Sequence, residues 1–126
     1  MRTYVLVALV MVIVLATGLF ALEALKDTAA RMVAGFDRVE KAVAGEDWAE
    51  ARREMDRAQK MWTGYKGWWT MVIDHQEIDN IDMTMARMNR YIGMRDKTMA
   101  FGELAVLKQI LCHIPEKEKV SWQNIL

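Results

Sequence analysis

Proline occurs once in this chain of 126 residues, cysteine once and glycine seven times. So few helix breakers leave little to interrupt long helices. The lone cysteine, Cys112, excludes an internal disulfide and says nothing of redox compartment. Lysine plus arginine equals aspartate plus glutamate, so the formal charge is zero and the electrostatic footprint of a nucleic-acid binder is missing. No glycine-rich phosphate loop occurs, and no pattern resembles a complete catalytic set. The length suits one small domain. What the chain has in excess is apolar residues, at 53%. With so little proline and glycine, that excess points to an all-α protein.

The apolar residues begin at once. Tyr4–Leu22 carries no charge, and nineteen residues at about 1.5 Å each can cross a bilayer's hydrocarbon core. A cleaved signal peptide is the rival reading, since Ala16 and Gly18 make a passable cleavage site. Its apolar region, however, normally runs only about 7–15 residues. An uncleaved anchor is therefore expected at residues 1–22. Arg2 precedes the span while Lys26, Arg31 and Arg38 follow it, so the positive-inside count is ambiguous. The three residues before the span leave nothing to fold on that side. The expectation is a single-pass plasma-membrane protein with its N-terminus cytoplasmic, a helical bundle over 23–115 outside the cytoplasm, and a C-terminal tail over 116–126.

Helical spacing continues past the span. Leu22, Leu25, Ala29, Met32, Phe36, Val39 and Val43 form a stripe in steps of three and four. Gly45 suits that helix's end, and Asp47 with Glu50 resembles a capping box for the next. There Trp48, Ala51, Met55, Ala58, Trp62 and Tyr65 repeat the spacing, while Arg52, Arg53, Glu54 and Arg57 read as a solvated face. Gly64 and Gly67 predict a turn, so a third helix is expected over Trp68–Ile92 with Met71, Ile78, Ile81, Met85, Met88 and Ile92 buried; a single long helix through Gly67 is the alternative. Gly93 ends it and Asp96 caps the fourth, whose stripe is Ala100, Leu104, Leu107, Leu111 and Ile114, with Pro115 closing it. The plan is an N-terminal transmembrane helix continuing into a small antiparallel up-down bundle.

The densest chemistry lies in Trp68–Ile81, WWTMVIDHQEIDNI. His75, Asp79 and Asp82, at i, i+4 and i+7, form a polar row along the edge of the apolar stripe. Of these, His75 and Asp79 could present two ligands to one ion, with His113 and Glu116 completing a zinc or copper site from the fourth helix. Against this, the paired Glu-x-x-His motifs of di-iron bundles are missing. The simpler expectation is a core histidine hydrogen-bonded to Asp79. Met83, Met85, Met88, Met94 and Met99 could select Cu(I), but Met85 and Met88 already belong to the core stripe. Cys112 beside His113 is a weak nucleophile pair, because adjacent helical residues diverge. No cofactor and no enzymatic role are expected. Trp48, Trp62 and Trp69 read as core. Tyr65, Trp68 and Trp69 should also lie at the membrane-proximal end as an aromatic collar. The tail turns from charged EKEK to VSWQNIL; it can dock in the bundle's own groove, or Trp122, Ile125 and Leu126 can join the collar as an interaction surface for the lipid bilayer or a membrane partner.

The chain resembles a family of small single-span bacterial membrane proteins classed as a domain of unknown function. The likeness rests on DHQEID at Asp74–Asp79, on Glu103-Leu104 with Leu107-Lys108, on HIPEKE at His113–Glu118, and on Ser121 with Asn124-Ile125. It implies no activity. It does imply a YetF-like multi-span membrane protein as partner, and Cys112 stands where relatives are expected to carry a charged residue. Composition and resemblance together suggest a membrane-anchored accessory or interaction module.

Overall fold

The computed structural model describes residues 1–125. Within them the chain forms four helices and no strand: α1 (Arg2–Ala44), α2 (Trp48–Val72), α3 (His75–Gly93) and α4 (Lys97–Ile125). Helix α1 packs against α2 and α4, and α3 against the same two. The expected up-down bundle results, with α1 and α3 on one diagonal. One end, the crown, carries the α1–α2 and α3–α4 turns. The other, the foot, carries the α2–α3 turn and the end of α4.

Helix α1 has two halves with different surroundings. Its side chains from Tyr4 to Val14 are exposed, whereas Leu25, Ala29, Met32, Phe36, Val39 and Val43 are buried in the core. Among the described residues it is the one helix long and apolar enough to cross a membrane. The predicted stripes account for most of the remaining core. Ala51, Met55, Ala58, Trp62 and Trp69 come from α2, Ile78, Ile81, Met85, Met88 and Ile92 from α3, and Ala100, Leu104, Leu107, Leu111 and Ile114 from α4. Helices of this kind gain most of their stability by burying such stripes together.

The two crown turns are built alike. After α1, the Glu46 N–H donates to Val43 O and the Asp47 N–H to Ala42 O; after α3, the Arg95 N–H donates to Ile92 O and the Asp96 N–H to Tyr91 O. Both are Schellman closures. Their left-handed residues are Glu46 (φ 54°) and Arg95 (φ 56°), so Gly45 and Gly93 mark the helix ends without taking the strained position. Asp47 and Asp96 then cap the following helices, accepting from the Glu50 and Met99 N–H groups at 3.1 Å.

Three expectations need correction. Helix α2 does not turn at Gly64–Gly67 but runs to Val72. Both glycines face open space, and Trp62 and Trp69, two turns apart on the buried side, hold the helix across them. The break falls instead at Ile73, in extended conformation, and at Asp74, whose carboxylate accepts from the Gln76 N–H at 3.1 Å. Because α3 starts there, Met71 belongs to α2's outer side and is 83% exposed, not part of the core stripe. Finally, Pro115 does not close the last helix; it lies inside α4, which continues to Ile125. Proline removes one backbone hydrogen bond and crowds the preceding turn. Leu111, Ile114 and Trp122 nevertheless continue the face turned to the bundle and to α1, and carry the helix past it. Thus part of the expected C-terminal tail, Glu116–Ile125, is helical.

Candidate functional site: the foot of the bundle

The polar row expected around His75 is arranged differently in the fold. Asp82, not Asp79, is the carboxylate turned to the core. It accepts from the Trp62 indole N–H at 2.7 Å and from Lys66 Nζ at 2.7 Å. Trp62 meets Trp69 edge to face at 5.4 Å between ring centres, and the Trp69 indole N–H donates to Thr28 Oγ1 at 3.0 Å. Both indoles are buried and both satisfy their single donor. His75 and Asp79 are exposed, so the core histidine held by Asp79 is not formed. The reason is the position of the α2–α3 break: Asp74 and His75 begin a helix at the bundle's end, where solvent reaches them.

The same geometry sorts the expected collar. Trp69 is a core residue, not an interaction residue. Its bond to Thr28 places it six residues above Leu22, about 9 Å higher along α1. Tyr65 and Trp68 are half-buried and pack on the core, with Trp68 edge to face against Trp69 at 6.2 Å. Trp122 is half-buried and its indole lies directly against Gly18, where any Cβ would overlap the ring. Gly18 was a candidate cleavage residue in the sequence; here it admits the side chain that docks α4 on α1. Ile125 ends α4, and Leu126 lies outside the described residues.

Around this contact the foot is apolar. A cleft of about 230 Å³ is lined by Gly18, Ala21, Leu22, Val72, Glu118 and Trp122 among others. Phe20, Met71 and Val120 project from the same end, 76%, 83% and 54% exposed. Just above stand the start of α3 and the last turns of α4, linked by Glu77 and Lys117 at 3.6 Å. His113, Glu116 and Cys112 are exposed on α4. Among the described residues, His, Cys, Asp and Glu side chains nowhere gather in threes that could hold a metal, so His75, Asp79, His113 and Glu116 do not make the site that the metal reading requires.

Higher up, charge ties the helices together. Glu54, expected on the solvated face, is buried between Arg38 at 3.1 Å and Arg57 at 2.7 Å. Lys108 bonds both Asp37 and Glu40, joining α4 to α1. Burial pulls its ammonium down, but the two carboxylates outweigh burial and hold its pKa above the usual lysine value. At the rim of α2, hydrogen bonding by Arg53 outweighs desolvation and holds the Glu50 carboxyl below its usual range.

The chain matches the domain of unknown function DUF4363 over residues 19–125. It belongs to that family. No curated protein and no solved structure matches it. Within this DUF4363 domain most of the residues that carried the resemblance divide into two groups. Leu104 and Leu107 are core, Glu103 bonds Arg87 at 3.0 Å, and Lys108 holds α1, so this group builds the bundle. The DHQEID and HIPEKE stretches meet at the foot through Glu77 and Lys117. Of that second group Ile78 and Ile114 are buried, while Asp74, His75, Gln76, Asp79, His113, Glu116 and Lys117 remain exposed. The foot therefore has more exposed motif chemistry than its packing uses.

Proposed function

We propose that this DUF4363 protein is a membrane-anchored accessory module: α1 spans the membrane, the bundle stands outside the cytoplasm, and the foot engages a membrane partner. The observation that carries the reading is α1 itself. An unpacked apolar segment and a core helix of the bundle are one uninterrupted helix from Arg2 to Ala44. No flexible stalk separates them, so the bundle is held at one height above the lipid, an arrangement suited to meeting a neighbour in the membrane. The exposed DHQEID and HIPEKE residues beside the apolar foot supply a surface for it. A YetF-like multi-span protein, implied by the resemblance, is the partner to look for. The role is one of interaction and not of catalysis.

The test has two parts. Protease added to intact spheroplasts is expected to digest the bundle; full protection would reverse the topology, and a mature N-terminus near Leu19 would remove the anchor. Purification in mild detergent is expected to bring down a multi-span membrane protein. Its recovery should fall when Val120–Leu126 is deleted. Equal recovery by the deleted chain would move the contact away from the foot.

A further inference from the structure

The end of α2 and the α2–α3 turn send Ile73 into the core, yet leave apolar side chains exposed beside it. Between Lys66 and Asp74 lie seven residues, GWWTMVI, without a charge. Trp69 and Ile73 are buried, while Met71 is 83% and Val72 37% exposed. Register along α1 gives the turn its height. Val72 lines the same cleft as Gly18, Ala21 and Leu22, the last turn of the uncharged run Tyr4–Leu22. Trp122 of α4 stands on Gly18 at that level too. Three separate elements thus bring apolar side chains to the end of the apolar half of α1. Polarity returns within one turn, with Asp74, His75 and Gln76 all exposed. Such a change from apolar to polar over a few ångströms matches the boundary between hydrocarbon and headgroups.

We propose that the α2–α3 turn is a second lipid contact, with Met71 and Val72 inserted at the headgroup–acyl boundary beside α1. The inference rests on α1 spanning the membrane, since the height of the turn is fixed relative to that helix. Lipid is favoured over protein because Val72 stands beside the end of the span, in a cleft that reaches from Thr17 to Leu25 of α1, where the bilayer is already present. Methionine, unbranched and adaptable, suits a fluid surface. The contact seats the bundle at a second point next to α1 and holds the exposed DHQEID residues at the headgroup surface.

Nitroxide labels at single cysteines test this in the full chain carrying Cys112→Ser. Three variants, Met71→Cys, Ile13→Cys and Met94→Cys, are compared in vesicles of phosphatidylethanolamine and phosphatidylglycerol. All three positions are exposed, so the label displaces no core side chain. The Met71 label is expected to lose most collisions with a water-soluble nickel chelate and to gain collisions with oxygen, as the Ile13 label does, while the crown label at Met94 stays open to the chelate. A Met71 label as open to chelate as Met94, with Ile13 still in lipid, would overturn the lipid contact and leave the anchor standing. Both labels in water would overturn the anchor as well. A Met71 label shielded from both reagents would mean that protein covers the turn, and would equally overturn the assignment.

Discussion

Asp82 takes the hydrogen-bonded place against the core that the sequence suggests for His75. Both sit beside the apolar stripe of α3, but Asp82 receives two hydrogen bonds from α2 while His75 is exposed at a helix start. Asp82→Ala would leave the Trp62 N–H buried without an acceptor and Lys66 without its partner, a cost of about 1–3 kcal/mol. His75→Ala should stay within about 0.5 kcal/mol of the parent. Denaturant unfolding in detergent of the two variants checks the pair; equal destabilisation would refute the assignment. No local signal could have singled out Asp82, because its partners are 16 and 20 residues away. The left-handed positions at Glu46 and Arg95 escaped for a related reason. Glycines one and two residues earlier offered a more permissive backbone, and the Schellman closures placed the turn after them.

At the scale of the helix, the stripes were legible wherever apolar spacing and burial coincide, which covers most of the core and both crown turns with their aspartate caps. Misreadings arose where one residue's propensity was set against packing over several turns. Gly64 and Gly67 are intrinsically poor in helices, but Trp62 and Trp69 bury enough area on the opposite side to override them. Nothing lies within 4 Å of a Cβ at either glycine. Gly64→Ala and Gly67→Ala should therefore each stabilise the protein by up to about 1 kcal/mol, read as a higher thermal midpoint; a fall would mean that α2 bends there. Lys108 gives α4 a measurable dependence on pH. Its folded pKa is raised above the ordinary 10.5, so its stabilising effect is fully present below that value and is lost as pH climbs through the higher folded one. Stability followed through the alkaline range should fall more steeply for the parent than for Lys108→Met.

For the molecule as a whole, the architecture could be read from composition and periodicity, whereas the foot could not. Its parts come from four stretches far apart in the chain, and docking of α4 on α1 depends on a glycine meeting a tryptophan 104 positions away. Continuity of α1 is the property to disturb. A short glycine–serine insertion after Leu22 should leave the helical content and melting of the bundle nearly unchanged while recovery of the proposed partner falls, because Trp122 and Val72 would no longer stand beside the proposed span. Undiminished recovery would show that the partner reads the bundle's surface without regard to its seating.

On the proposed topology, α1 passes from the membrane into a core without a joint and is also a lever. From Leu22 to Ala44, α1 extends about 33 Å, so a change of only 10° in its tilt would swing the crown sideways by about 6 Å. Transmembrane helices change tilt at modest cost when bilayer thickness or neighbouring helices change. Angular adjustments in the membrane would thus reach the far end of the bundle as displacements larger than a side chain, unless the foot is clamped at a second point.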